Sequence, residues 1–314
     1  MTKIDLAQRA DLALGDLTGE AGFLLPAQSD TFFRRIIDAP TILGAVRTMQ
    51  MNSPTARINK VGFGQRVLRA APQGSAPYVD DTNNSDRYLA AAKRVRPQLS
   101  LIEMATKEVM AELHLPYEVL EDNIEREGFA DTLLVLLAER AALDLEELLL
   151  LGDTGSADEY LALHDGIIKR VQSNVVDFAG ARPDLPLWND MKKSLPTRYR
   201  RVLPNLRYWV HPDVESDYRV KFASRQTGGG DNAATGMQPI MVLGSPMTMA
   251  STMPLTTAIY GNPQNVIFGI QRQVRLERDR DIRGRQLVFV MTARVAIQIE
   301  EEEAMVKGIN LGEG

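Results

Sequence analysis

Asp153-Thr154-Gly155 spells the aspartic-protease signature, in which two carboxylates share a proton and activate water. A chain with one copy would have to dimerise to complete the dyad, and the signature belongs on a loop between strands of an all-β protein. Here it directly follows a helical pattern, so the expected role is a helix-exit turn, because short motifs carry meaning only in their structural context. A dimeric aspartic hydrolase using Asp153 is the alternative of another class. His114, His164 and His211 are far apart and lack metal-ligand spacing, which makes them surface or core histidines. Arg272, Arg275, Arg278, Arg280, Arg283 and Arg285 suggest phosphate binding, but Glu277, Asp279 and Asp281 are interleaved with them and neutralise much of that field. The run reads as an inter-subunit charge network or a solvated loop. Gly62-x-Gly64 lacks the third glycine and the following helix of a dinucleotide site. Glu300–Glu303 lacks the alternating oxygen-ligand spacing of a calcium loop and reads as a solvated strand end. No catalytic residue, cofactor or metal site is assigned.

The elements around these residues are more informative than the residues. From Leu115 to Leu151 apolar side chains recur three or four apart, at Leu120, Ile124, Leu133, Leu137, Ala141, Leu145 and Leu148, as one face of a helix requires. Pro116 suits a first-turn position and Gly128 is the expected kink; the whole pattern would reach roughly 50 Å at about 1.5 Å per residue. A second stripe, Leu136, Leu143 and Leu150, predicts that the C-terminal half is covered on two sides. From Leu287 to Ile299 every second residue is apolar, which predicts a long half-buried strand, the spine of an antiparallel sheet.

Composition narrows the class. A chain of 314 residues can bury a core in one elaborate domain or two, and a net charge of -5 argues against a basic nucleic-acid binder. With no cysteine, disulfide scaffolds and thiolate metal sites are excluded. No apolar run approaches the roughly 18 residues of a membrane span, so no membrane partner is expected and the chain reads as soluble and intracellular when made.

Between residues 57 and 86, extended segments (Arg57–Val61, Gln65–Leu68) lie among glycines, prolines and Asn83-Asn84, with little to form a core. Connections longer than about 15 residues inside a compact domain are uncommon unless functional or disordered. A projecting hairpin packed on another subunit resolves the conflict, with Arg57, Lys60, Arg66 and Arg69 facing Glu118, Glu121 and Glu125 on a neighbour's helix. Any single such surface pair contributes only about 0–1 kcal/mol. Between Tyr160 and Arg285 the pattern is mixed: helices over Trp188–Arg201 and Pro212–Phe222, strands over Arg207–Val210, Ile240–Leu243, Thr257–Tyr260 and Val266–Ile270, and a Gly228-Gly229-Gly230 loop.

In order and spacing these segments resemble the major capsid proteins of tailed bacteriophages, which share the Hong Kong 97-type fold. The resemblance is carried by Gly22-Phe23-Leu24-Leu25-Pro26, Leu120-Glu121-Asp122, Gly152-Asp153-Thr154-Gly155 and Trp209-Val210-His211-Pro212. It continues through Gly244-Ser245-Pro246, Met253-Pro254, Tyr260-Gly261-Asn262-Pro263 and Glu303-Ala304-Met305-Val306-Lys307. It implies an α+β fold with a long spine helix (about 116–151), a long antiparallel sheet, an extended hairpin loop and an inserted α/β axial domain. The implied parts are an N-terminal arm (1–45), the extended loop (46–92), a peripheral domain (93–159 with 286–314) and the axial domain (160–285). The implied function is a major capsid protein that forms pentamers and hexamers and closes into an icosahedral shell around double-stranded DNA. An encapsulin-like nanocompartment shell is the alternative on the same fold. The implied partners are further copies of the chain, a portal protein, a decoration protein, and DNA held by weak non-specific contact. Because only about 20 residues precede the opening motif, a separate scaffolding protein is expected. Lys60 and Lys93 sit in no motif that would carry over the Lys–Asn cross-linking of some relatives. The implied location is the virion, with the host cytoplasm during assembly.

Overall fold

The computed structural model describes residues 42–63, 66–68, 94–117, 129–201, 205–224 and 239–312. It divides into two compact units, Thr55–Met104 and the rest of the chain.

In the larger unit, β1 (Arg47–Gln50), β10 (Val266–Asp281), β11 (Gln286–Ile299) and β4 (Lys107–Pro116) form one sheet in that order. The expected spine is there: β11 runs antiparallel to both β10 and β4, while β1 pairs parallel with the start of β10. Its period of two buries Leu287, Phe289, Met291, Ala293, Val295, Ile297 and Ile299 on one face. Val109, Ala111, Leu113 and Leu115 of β4 join the same core, as do Ala138, Ala141, Ala142, Leu145 and Leu148 of the long helix Phe129–Leu151. Each large side chain buried there contributes about 1.5–3 kcal/mol.

Three expectations change. Leu115 and Pro116 end β4 instead of opening the helix, because Leu115 completes an alternation that begins at Val109; Leu120, Ile124 and Gly128 lie outside the described residues. The second helix stripe is covered only at Leu150, since Leu136 and Leu143 are 54% and 37% exposed. The arginine-rich run is neither loop nor network alone: β10 continues through Arg272–Arg280 to Asp281 and turns back into β11. Asp281 Oδ1 secures that turn by accepting from the N–H groups of Arg283 and Gly284, each at 3.0 Å.

The second sheet of this unit has six strands in the order β5 (Val175–Asp177), β12 (Met305–Ile309), β9 (Ala258–Gly261), β6 (Arg207–Val210), β8 (Ser245–Met249) and β7 (Met241–Val242). The helices Leu185–Ser194 and Pro212–Ala223 contribute to its core around Trp188, Tyr208, Tyr218 and Tyr260. Tyr208 stacks on Tyr260 at 4.3 Å between ring centroids, and Trp188 meets Tyr208 edge-on at 5.3 Å. The first helix stops at Ser194, short of the expected Arg201, because Leu195 precedes Pro196 and is driven into extended backbone. Hydrogen bonding also crosses the expected divisions. β10, read as part of the 160–285 segment, pairs with β11, and β12, read with the final strand, lies inside the six-stranded sheet.

The smaller unit is a two-stranded ribbon of β2 (Thr55–Gly62) and β3 (Gln98–Ala105). The expected first strand is present, whereas residues 66–68 are not in a strand and the partner is β3, beyond position 92.

Candidate assembly surfaces

On the ribbon, successive side chains point to opposite faces, so Arg57 and Lys60 cannot share one. Arg57 Nε pairs with Glu103 Oε1 of its own ribbon at 3.0 Å, and both side chains are mostly exposed. That bond puts Arg57 and Val61 of β2 on the same face as Leu99, Leu101 and Glu103 of β3, with Phe63 just past the end of β2. Beside that ion pair the apolar members of the face are uncovered: Val61 is 62% exposed, Leu99 75% and Leu101 50%, and Phe63 beyond the strand end is 58% exposed. Arg66 is exposed beyond the end of β2. Arg69, Glu118, Glu121 and Glu125 lie outside the described residues. A two-stranded ribbon is marginally stable by itself in water, so this one is suited to packing against something else.

A second site lies at the start of the described chain. Ile42 and Leu43 are fully buried, and a turn closes as Ala45 N–H and Val46 N–H donate to Ile42 O. The turn is held by Glu146 of the long helix, which is 1% exposed. Its carboxylate accepts from Ile42 N–H at 3.2 Å and from Thr252 Oγ1 at 3.3 Å. Burial pushes the Glu146 pKa up, against the lowering effect of these bonds and of the Leu43 N–H. Sequence reasoning missed Glu146 because it sits in the Leu145–Leu151 run directly beside a second acid, Glu147; only its place on the core-facing side distinguishes it.

The Asp153-Thr154-Gly155 turn is a lock on the segment after the helix. Asp153 pairs with Lys169 and accepts from Gly155 N–H at 2.7 Å; Lys169 also reaches Asp165 at 2.9 Å. Asp165 accepts from Thr154 N–H at 2.9 Å and from its hydroxyl at 2.8 Å. Burial pushes the Asp165 carboxyl up, but the bonds from Thr154 and Lys169 outweigh it and bring the pKa down to about 2. The Lys169 ammonium and the Gly155 N–H likewise hold Asp153 below the usual carboxylate range. A carboxylate fixed as the anion beside a lysine is the reverse of the shared-proton dyad that the signature denotes. Gly152 and Gly166 cross here, with Gly166 N–H donating to Gly152 O at 2.7 Å. A Cβ on Gly166 would stand 2.6 Å from Leu150 O and 2.7 Å from Gly152 N, so only glycine fits.

The histidines have separate structural roles. His164 is buried and donates from Nε2 to Val295 O of β11 at 2.9 Å; burial pushes its pKa down. His211 caps the helix Pro212–Ala223, its Nδ1 accepting from Asp213 N–H at 3.2 Å. His114 contacts Glu112 on β4 at 2.8 Å. Among the described residues no group of three or more His, Asp or Glu is placed to hold a metal ion, and no helix is long and apolar enough to cross a membrane.

The sequence matches the phage capsid family over residues 21–309. It is 36% identical over 325 residues to YqbE of Bacillus subtilis (strain 168), named as a prophage capsid protein, and the match covers 100% of both chains. The fold is similar to the satellite phage P4 procapsid, with a TM-score of 0.61 at 11% identity over 100% of this chain and 99% of that one. It is also similar to the SrpI encapsulin of Synechococcus elongatus PCC 7942, with a TM-score of 0.56 at 13% identity over 89% of each chain. At such identities these two likenesses concern the fold alone.

Proposed function

Since this chain belongs to the phage capsid family and has the Hong Kong 97-like fold of a major capsid shell protein, we propose a division of labour among its parts. The ribbon Thr55–Met104 acts as the extended loop that reaches an adjacent subunit, the four-stranded sheet with its long helix as the peripheral domain, and the six-stranded sheet as the axial domain around fivefold and sixfold centres. The observation that carries the capsid reading is the family match across residues 21–309 together with a prophage capsid relative matched over its whole length. The uncovered apolar face of the ribbon supports its role as a reaching element.

The work of such a protein is mechanical: many modest contacts repeated by symmetry close a shell. Arg57, Lys60, Arg66 and Arg69 of the loop, and Glu118, Glu121 and Glu125 of the segment before the helix, belong to these contacts in our reading. The shell encloses double-stranded DNA, and the net charge of -5 supports weak non-specific contact with it, because a strongly basic lining would couple to phosphates through counterion release. Family membership supports a scaffolding protein, a portal and a decoration protein as further partners, with assembly in the host cytoplasm before the chain resides in the virion. Asp153, tied to Lys169, has a structural role in this reading.

The test is sedimentation velocity on the purified chain, alone and after co-expression with a candidate scaffold, with negative-stain imaging of any fast fraction. Shells, pentamers or hexamers are expected. A strictly monomeric or dimeric species under both conditions refutes the assembly reading, and enzyme cargo in place of DNA inside particles points to a nanocompartment.

A further inference from the structure

The segment between the long helix and β5 is bonded to both sheets of the larger unit. Toward the four-stranded sheet, His164 Nε2 donates to Val295 O at 2.9 Å and Arg170 Nη1 donates to Gln298 Oε1 at 2.8 Å, both on β11. Val295 is the last β11 residue that β4 pairs, so the segment takes over the edge where β4 leaves it. Toward the six-stranded sheet, Lys307 Nζ of β12 donates to Ile168 O at 2.9 Å. Just before β12, Glu302 accepts from the N–H groups of Gln172 and Ser173 at 2.6 and 2.7 Å and from the Ser173 hydroxyl at 2.6 Å. One stretch of chain therefore ties β11 to β12, beside residues 300–304, through which the chain passes from one sheet to the other.

The two ends of this tie respond differently to protons. At the β12 end, burial works against the Glu302 carboxylate, but the bonds from Ser173 and Gln172 outweigh it and hold its pKa below the ordinary 4.5. That end keeps its charge throughout the range in which a histidine titrates. At the β11 end, His164 is 7% exposed. The charged groups acting on its ring are Arg170 of the short helix Ile167–Arg170, Lys107 at the start of β4 and the adjacent Asp165, and β11 meets it with Val295 O. Asp165 is already committed to Thr154 and Lys169. An imidazolium here would thus be buried facing two cations, with one shared counter-charge. We infer that His164 is a proton-operated catch: on acidification its ring leaves β11, the Gly152–Asn174 segment comes away from that edge, and the two sheets lose their fixed orientation while the Glu302 end stays attached. Once released, the ring regains the ordinary value of 6.5. The closed tie is therefore favoured fully above pH 6.5 and weakens as pH falls through the lower value the ring has in place. The catch belongs to the single chain and stands apart from the shell reading. In a shell it makes the angle between the two sheets, and hence the surfaces offered to neighbours, depend on pH.

Hydrogen exchange of the unassembled chain is read by mass spectrometry at about pH 7.5 and about pH 5.5, with exchange times corrected for the intrinsic effect of pH. Peptides covering residues 153–174 should lose protection at the lower pH, while β12 and the long helix keep theirs. His164→Gln retains a side-chain donor and cannot titrate, so it should keep the protection at both pH values. For the sheets themselves, Met110→Cys on β4 and Met241→Cys on β7 are spin-labelled at exposed positions of a chain that has no other cysteine. Their distance distribution, measured by electron–electron double resonance, should broaden in acid in the parent background and stay unchanged when His164→Gln is added. Equal protection and equal distances at both pH values overturn the inference, and so does an acid response that persists in His164→Gln. If that variant does not fold, the parent decides alone: loss confined to residues 153–174 supports the catch, and loss across all strands of both sheets is global unfolding and refutes it. Because every measurement is made on the unassembled chain, failure of the chain to form shells strikes the shell reading and leaves this inference standing.

Discussion

Replacing Glu146 with alanine strips the buried Ile42 and Leu43 N–H groups of their acceptor and leaves Thr252 without its carboxylate. Each unsatisfied buried donor costs about 1–3 kcal/mol, and relief from burying a carboxylate returns part of this, so a net loss of about 2–4 kcal/mol is expected. At about 2–4 °C per kcal/mol, the unfolding midpoint of the unassembled chain falls by about 4–15 °C. The pH dependence is the sharper test. The Glu146 carboxyl is raised above its ordinary 4.5 in the folded chain, so its contribution favours folding fully below pH 4.5. That contribution is lost as pH rises through the folded value. Glu146→Gln keeps one acceptor oxygen and removes the titration, so the stability of the parent relative to this variant should increase as the solution is acidified. Thermal unfolding followed by circular dichroism across this range measures the difference directly. A Glu146→Ala midpoint within about 2 °C of the parent, or a parent-minus-Gln difference independent of pH, would refute the clamp.

Gly152→Ala and Gly166→Ala place a Cβ against backbone that cannot yield, and each should give insoluble chain or a midpoint lowered by more than about 5 °C, read by solubility and thermal unfolding. His164 is held neutral by burial, its folded pKa below the ordinary 6.5, so its contribution is present above pH 6.5 and is lost as pH falls through the folded value. His164→Gln should flatten that acid-side decline in a pH series of unfolding midpoints. Trp188→Ala should cost about 3–5 kcal/mol, measured by denaturant titration, because the ring is fully buried among Phe178, Tyr208 and Tyr218. Asp153→Asn should leave particle formation intact in sedimentation velocity, since it weakens only the turn bonds to Lys169 and Gly155.

What is legible in the sequence is whatever one segment specifies alone. The alternation of β11, the final turns of the long helix and the strand Arg207–Val210 all follow from local pattern. What is illegible depends on partners. Val109, Ala111, Leu113 and Leu115 alternate as clearly as β11, but a helical pattern that starts at Leu115 conceals the strand behind a proline that suits both elements. The second half of β10 alternates Arg with Asp and Glu, so polarity gives no face; only pairing with β11 marks it as strand. The basic residues expected at an interface follow from composition, whereas their division between two ribbon faces and the Arg57–Glu103 bond require coordinates. Glu146 shows the same limit from the inside, an acid indistinguishable in sequence from its solvated neighbours.

β12 lies between β5 and β9, and β5 has no other neighbour in its sheet. Residues 305–309 are made after every other strand of that sheet, so a nascent chain carries β5 unpaired and β9 half-paired until β12 has emerged. The order of translation thus withholds a complete six-stranded lobe from prematurely terminated chains. Such chains keep an open strand edge, whose unpaired N–H and C=O groups are a template for pairing with other chains.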